Sequence, residues 1–293
     1  MMLPRVFRAS TLGALLLAFA LHGPRALAAP PAVKSVSEAF AAADHRGVIR
    51  LAGEVPESHA DYAKAQYLAG ESRLVLGEPA EAETAFRAVL AKKPKAVPAL
   101  TGLGRALSLQ AKHEEAEKVL REALALDAKD PAVPRALGEA LGLAGQAEAG
   151  AKALEAALKL APSDPLTVRA LVEARLRADD VQGALDLAEK LAKASPKHPM
   201  GDFLVALARD KQGDAEKAIE AYEAALAKDA TFLDAHKNLA ILCHARSNTY
   251  QDQVRVKKAF EHYEAYFKLG GADERLKKMY ATLQQFRDQI QPK

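Results

Sequence analysis

The chain has 293 residues, 49% of them hydrophobic, with 41 basic and 38 acidic side chains. Three of the basic residues (Arg5, Arg8 and Arg25) lie in the first 28 residues, which contain no acidic residue, so the remainder has 38 of each sign and a formal charge of zero. A neutral protein offers no electrostatic basis for binding DNA, RNA or anionic lipid. With Cys243 as its single cysteine, the chain cannot form an intramolecular disulfide.

The first 28 residues have the three regions of a secretory signal peptide. Arg5 and Arg8 precede an apolar run over residues 11–21, and Ala26-Leu27-Ala28 forms an A-x-A cleavage site. A membrane anchor is the alternative interpretation, but a spanning helix needs about 20 apolar residues and this run is shorter. We therefore expect residues 1–28 to be removed and the mature protein to be exported.

Residues 35–56 predict a short helical pair. Phe40, Val48 and Leu51 are apolar at helical spacing, and Gly47 lies near the expected break. The segment is interpreted as a divergent first unit that shields one end of the array that follows.

Residues 57–271 are dominated by a spacing of 34 residues. Small residues recur in one column, with Val172 in the remaining slot: Gly70, Gly104, Gly138, Ala206 and Ala240. A second small column follows twelve places later: Ala82, Ala116, Gly150, Ala184 and Ala218. A third column is bulky, apart from Ala188: Phe86, Leu120, Leu154 and Tyr222. A fixed period of this length indicates stacked supersecondary units, and the region accommodates six.

Each unit is predicted to be two amphipathic helices, because the apolar residues keep a 3.6-residue period. The small columns fall where two helix axes must approach closely. Gly77, Gly145 and Gly213 fall at the turn between the helices, where a residue with positive φ closes the first one. One such pair cannot bury its apolar face alone, so neighbouring pairs must stack.

Two units depart from the pattern, and a final helix follows them. In the fourth, Pro165–His198, the off-type residues Val172 and Ala188 predict looser stacking on the neighbouring units. In the sixth, Ala259 stands seven residues beyond its expected place, which predicts one extra turn on each helix. Residues 272–293 predict a terminal capping helix with the apolar stripe Leu276, Met279, Tyr280, Leu283, Phe286 and Ile290.

The segments Pro131–Pro162 (ALGEAL…AALKLAP) and Ala206–Asp229 (ALARDKQGDAEKAIEAYEAALAKD) resemble the tetratricopeptide repeat family. The resemblance implies an all-α fold, a right-handed α-solenoid of stacked antiparallel helix pairs with a C-terminal capping helix. It also implies that the first helices line a concave groove that receives a peptide or a partner helix. The Lys/Asn pattern with which some members clamp a terminal carboxylate is not reproduced, so that activity is not expected here.

Mapping this groove by register gives two columns of candidate residues. The first is Tyr67, Thr101, Arg135, Arg169, Phe203 and Lys237, and the second, one turn on, is Glu71, Arg105, Glu139, Glu173, Leu207 and Ile241. From these columns, the predicted protein-binding residues are Tyr67, Arg105, Arg135, Arg169, Phe203 and Lys237. Met200, Phe203, Leu204, Leu207 and Ile241 would form an apolar floor. The alternative is that the arginines only neutralise the glutamates four residues away.

No catalytic or cofactor-binding motif is found in the sequence. His113 has no second histidine at zincin spacing. His236, Cys243, His244 and His262 are gathered near the end, but Cys243 and His244 diverge by about 100° on a helix. We therefore expect no enzyme activity, no cofactor and no metal site.

The sequence favours a non-catalytic scaffold that binds a protein or peptide partner in the bacterial cell envelope. The resemblance suggests the assembly of a pilus, secretion, motility or cell-wall complex, and the expected location is the periplasm, peripheral to membrane complexes. No membrane span is expected after signal cleavage. The alternative is a self-associating structural subunit of an envelope complex, and the oligomeric state is left open.

Overall fold

The structure, a computed structural model, describes residues 33–247 and 253–290. The predicted signal peptide, residues 1–28, lies outside this part of the chain. Within it, every regular element is an α-helix, and no strand is present. The helices are α1 (Val33–Ala41), α2 (His45–Gly53), α3 (Tyr62–Val75), α4 (Pro79–Lys92), α5 (Val97–Leu109), α6 (His113–Leu126), α7 (Ala132–Leu143), α8 (Ala147–Leu160), α9 (Pro165–Arg177), α10 (Val181–Ala194), α11 (Met200–Gln212), α12 (Ala215–Lys228), α13 (Leu233–Arg246), α14 (Gln253–Lys268) and α15 (Glu274–Ile290).

Each helix packs against the next one along the chain, so that α3 to α14 form six consecutive pairs. The first helices of neighbouring pairs also touch, α3 with α5, α5 with α7, α7 with α9 and α9 with α11. Among the described residues, no comparable contact joins one second helix to the next. The first helices therefore lie on the inner side of the array. The predicted all-α solenoid of stacked helix pairs is confirmed.

The small-residue column marks the closest approach of the two helices in a pair. A Cβ atom added at Gly104 would lie 2.3 Å from Cγ of Leu120, and one added at Gly138 would lie 2.6 Å from Cγ of Leu154. Such distances are far below van der Waals contact, so a larger residue would push the helices apart. The bulky column is therefore the direct partner of the small column, sixteen residues later.

Every turn between the two helices of a pair, from α1–α2 to α11–α12, contains one residue with positive φ. These residues lie 34 apart: Ala43 (55°), Gly77 (74°), Ala111 (58°), Gly145 (80°), Asp179 (63°) and Gly213 (88°). The three glycines were predicted from the sequence, whereas Ala43, Ala111 and Asp179 were not. A left-handed residue ends the first helix and reverses the chain, so the register extends into the short N-terminal pair.

In the fourth pair the small and bulky positions are exchanged. Val172 occupies the slot filled elsewhere by glycine or alanine, and Ala188 occupies the slot of its bulky partner. Both side chains are fully buried in one cluster. The larger Val172 fills the space that the smaller Ala188 leaves, and α9 and α10 contact each other less extensively than the helices of the other five pairs. The sequence predicted looser stacking between neighbouring pairs, and this is not confirmed, because α10 contacts α11 more extensively than any other second helix contacts the following first helix.

The predicted extra turn on both helices of the sixth unit is wrong for the first of them. α13 ends at Arg246, where the 34-residue register places its end, and Ser247 is its C-cap with φ −71°. The additional residues fall before α14 and in its first turn, since α14 begins at Gln253 and has 16 residues.

After α14, Leu276 and Leu283 of α15 are buried against it, whereas the side chains of Phe286 and Ile290 lie outside the described residues.

Candidate functional site: the inner surface of the first helices

The inner surface consists of side chains that α3, α5, α7, α9, α11 and α13 present away from their second helices. Its centre is a depression of about 420 Å³ shared by α5, α7 and α9. Four arginines line it together with two glutamates and two exposed leucines: Arg105, Arg135, Arg169, Arg177, Glu139, Glu173, Leu143 and Leu166. We call it the arginine depression.

Three of these arginines are already paired with carboxylates. Arg105 Nη1 lies 3.1 Å from Oε2 of Glu71, the equivalent position one repeat earlier. Arg135 Nη1 lies 3.4 Å from Oε1 of Glu139.

Arg169 makes two ion pairs, both at 2.9 Å, with Glu173 and with Asp234. Both of the i,i+4 pairs considered from the sequence, on α7 and α9, are therefore formed, and much of the charge of the depression is neutralised internally.

The enclosure of the depression also affects how its groups titrate. Burial raises the pKa of the Glu139 carboxyl, against the attraction of Arg135 and Arg105, which lowers it. Burial lowers the pKa of Arg169, but its hydrogen bond to Glu173 and the charge of Asp234 outweigh this effect, so the pKa is raised overall. The Arg169 guanidinium therefore stays charged at every pH at which the protein is folded.

Arg177 and Lys237 are two positive charges on these first helices that are not paired. Neither has an ion-pair partner among residues 33–247 and 253–290, and Arg177 is exposed at the edge of the depression. An unpaired arginine at the rim of a partly enclosed site can form a bidentate contact with an incoming carboxylate.

The aromatic members of the predicted site differ from each other. Tyr67 is partly buried, with its ring 6.0 Å from that of Phe86, and burial raises the pKa of its hydroxyl. Phe203 is only 1% exposed and packs against Tyr222 and Phe232, with ring centroids 5.8 and 5.0 Å away. The prediction that Phe203 contacts a partner directly is therefore wrong, because its ring is buried between those of Tyr222 and Phe232.

The predicted apolar floor is likewise mostly core. Met200 and Leu204 are buried with Phe203, whereas Leu207 and Ile241 are only partly buried.

The exposed apolar side chains lie one helical turn after the second predicted column, at positions that were not among the predicted site residues. Val75, Leu109 and Leu143 are the last residues of α3, α5 and α7, lie 34 residues apart, and are 65%, 59% and 54% exposed. Arg177 continues this spacing as the last residue of α9. We call the first three residues the apolar row. Extending the register by four more residues from the Glu71–Arg105–Glu139 column would have found them.

Two of the histidines gathered near the end, His236 and His262, form a hydrogen-bonded pair. His236 Nδ1 lies 2.9 Å from Nδ1 of His262, and His236 Nε2 lies 3.0 Å from the carbonyl oxygen of Ala230. Because a carbonyl only accepts, His236 Nε2 carries a proton, and in the neutral pair His262 Nδ1–H donates to His236. Burial raises the pKa of the Cys243 thiol to about 11, so this thiol is not an activated nucleophile.

Among residues 33–247 and 253–290, no group of three or more His, Cys, Asp and Glu side chains is placed to hold a metal ion. In the same part of the chain, no helix combines the length and the apolar character that crossing a membrane requires.

A family model described as "Tetratricopeptide repeat" matches residues 67–131, 135–199 and 205–266. No curated protein matches the sequence significantly.

Solved structures share the fold at low sequence identity. A tetratricopeptide repeat protein from Parabacteroides merdae aligns with a TM-score of 0.61 and 10% identity, over 86% of this chain and 99% of that one. A chain of the APC/C hetero-tetramer Cut9–Hcn1 aligns with a TM-score of 0.57 and 16% identity, over 85% of this chain and 48% of that one. Human IFIT1, solved as a dimer with m7Gppp-AAAA, aligns with a TM-score of 0.53 and 18% identity, over 78% of this chain and 64% of that one. This chain thus spans about half of the Cut9–Hcn1 chain, and the likeness shows the fold alone.

Proposed function

Since the chain belongs to the tetratricopeptide repeat family, we propose that it is a non-catalytic scaffold that binds a partner protein on its inner surface, in the envelope of a bacterial cell. One observation carries the proposal. The apolar row ends beside the arginine depression, at the unpaired Arg177. Exposed apolar side chains in a contiguous set mark interaction surfaces.

The arrangement suggests which features a partner would have. Packed helices lie about 8–10 Å apart, and a helix presents residues seven apart every ~10.5 Å. A partner helix crossing α3, α5 and α7 can therefore place one apolar side chain on each of Val75, Leu109 and Leu143. An acidic residue one heptad further on would meet Arg177. The chemistry predicted is an amphipathic helix with an acidic end.

The binding experiment compares two matched pairs of leucines. The mature chain, residues 29–293, is used to capture proteins from an envelope extract, and the captured partner is then purified and its dissociation constant measured. The double variant Leu109→Ser/Leu143→Ser should weaken binding at least tenfold, because apolar anchors dominate interface energies. The control is Leu126→Ser/Leu160→Ser, since these leucines are also 34 apart, exposed, and the last residues of their helices, but end the second helices α6 and α8.

Unchanged binding in the first double variant would refute the inner-surface proposal, and an equal loss in both would mean non-specific adhesion.

Light scattering over a range of concentrations tests the self-associating alternative, for which the mass would rise with concentration. The location is tested separately: N-terminal sequencing of envelope protein should find cleavage after Ala28 or Ala29. Recovery of an intact Met1 in membranes would support an anchor instead.

A further inference from the structure

A second depression, of about 350 Å³, lies between α8, α9 and α10. Its floor is apolar and consists of Leu158, Val168, Leu171, Leu187 and Leu191. Its rim is polar and consists of Glu155, Lys159, Ser163, Arg175 and Lys190. We call it the outer cleft.

The outer cleft is separate from the inner surface because α9 stands between them. Val168, Leu171 and Arg175 face the outer cleft, at positions i, i+3 and i+7 of one helix face. Arg169 and Arg177 line the arginine depression from the other face. A ligand in the outer cleft would therefore meet none of the residues on which the proposed function rests.

The charges at the rim favour an anionic occupant. Lys159 and Lys190 have no ion-pair partner among residues 33–247 and 253–290. Arg175 is fixed by the protein itself, donating from Nη1 to the carbonyl oxygen of Gly183 at 2.8 Å and lying 3.8 Å from Oε1 of Glu155. The two lysines are therefore the groups left to meet a complementary charge from outside.

The shape of the cleft favours a polypeptide over a free small molecule. Small-molecule sites enclose 70–90% or more of their ligand, whereas this cleft is open to solvent along its outer side. A partner chain covers the opening itself after placing one side chain inside. The volume corresponds to about twelve waters at ~30 Å³ each, which is enough for one aromatic or large aliphatic side chain.

We propose that the outer cleft binds an acidic peptide segment of a partner protein, which inserts one large apolar side chain between α8 and α10 and places carboxylates at Lys159 and Lys190. This interaction goes beyond the proposed function, because it gives the scaffold a second, independent binding surface on the opposite side of α9.

The absence of tryptophan from the chain provides a direct assay. The probe is the capped peptide Asp-Glu-Leu-Trp-Asp-Glu, whose indole is then the only one in the sample. Its emission should shift to the blue on addition of the mature protein, with a dissociation constant on the order of 1 mM or tighter. A peptide in which lysines replace the acidic residues should give no shift.

Two variants test the location of binding, each with a matched control. Lys159→Glu/Lys190→Glu should weaken binding at least tenfold, while Lys193→Glu, an exposed lysine of α10 that does not line the cleft, should not. Ala194→Phe should fill the cleft from its exposed edge and abolish the shift, while Ala227→Phe, at an exposed position in the last turn of α12, should leave it unchanged.

A shift that persists in Ala194→Phe, or that the lysine-containing peptide also produces, would overturn the proposal. So would loss of the shift in Leu109→Ser/Leu143→Ser, since binding would then be at the inner surface. If light scattering shows that the wild type is a dimer and that Ala194→Phe is a monomer, the occupant of the cleft is a second copy of the chain. That result would also overturn the peptide proposal. The variants of Lys159, Lys190 and Ala194 leave the apolar row intact, so partner binding to that row and peptide binding to the outer cleft can fail separately.

Discussion

Arg169 donates from Nη1 to Oδ2 of Asp234 at 2.9 Å, although the two residues are 65 apart in the chain. Its guanidinium lies 5.6 Å from the centre of the Phe203 ring, on the repeat between them. The side chain therefore ties the fourth repeat to the sixth across the inner surface. In a solenoid, whose units otherwise contact only their neighbours, such a contact adds cooperativity between units.

Replacing Arg169 with alanine should lower the free energy of unfolding by about 1 kcal/mol. The ion pairs of Arg169 are about one-third exposed and so partly screened, and the contact with Phe203 adds a cation–π interaction. Urea unfolding measures the change. The matched control is Arg177→Ala, which should unfold like the wild type. If both variants unfold identically, the contact with Asp234 does not stabilise the array.

The exchange of Val172 and Ala188 predicts a strong coupling between the two positions. Val172→Ala should leave a cavity and cost about 1–2 kcal/mol, and Ala188→Leu should clash with Val172 and cost about 1–3 kcal/mol. The double variant restores the small-and-bulky arrangement of the other repeats, so its stability should be close to that of the wild type. Simply additive losses, measured by thermal unfolding, would show that the two side chains do not share one space.

Ala111→Gly should stabilise the protein by about 1 kcal/mol, because an alanine at φ 58° bears a steric cost that glycine avoids. For a chain of this length the melting temperature should rise by about 2–4 °C. The reciprocal control is Gly145→Ala, where an added Cβ would meet no atom within 4 Å, so that any loss reports backbone conformation alone. A melting temperature that falls in Ala111→Gly would contradict the assignment of this turn.

The histidine pair predicts a loss of stability in acid. Burial and, to a smaller extent, the charge of His236 lower the pKa of His262 from 6.5 to about 4, against the opposing effect of Glu261. Because the unfolded chain binds this proton first, the contribution of His262 to stability should be lost as the pH drops from 6.5 to 4 and should not change below that range. The loss should be on the order of 2 kcal/mol, since His262 keeps some contact with solvent.

The measurement is the difference in melting temperature between pH 7 and pH 4.5, in wild type and in His262→Gln. Glutamine can still donate to His236 Nδ1 but does not titrate, so the difference should be smaller in the variant. An equal pH dependence in the two proteins would assign the acid sensitivity to other groups, such as the paired carboxylates.

The helices could be predicted because the apolar period and the 34-residue spacing are both visible in the residue types alone. The sequence did not predict the turns at Ala43, Ala111 and Asp179, since nothing in these residues signals a positive φ that the surrounding fold imposes. Tyr67 and Phe203 occupy equivalent positions of the 34-residue repeat and were both predicted to line the groove, although only Phe203 is buried. Phe203 is enclosed by Tyr222 and Phe232, and Phe232 lies outside the repeated pattern.

The even spacing of the left-handed residues, from Ala43 to Gly213, has a consequence for the evolution of the chain. Excising the 34 residues from Ala111 to Ala144 would join Gln110 directly to Gly145, turn to turn, and leave every remaining helix beside a neighbour of the same kind. Unequal recombination between equivalent turns could therefore shorten or lengthen the protein by one unit, while each remaining helix keeps a packing partner of the same kind. Beyond Gly213 the equivalent residue, Ser247, has φ −71°, so the series of interchangeable turns ends before the last pair.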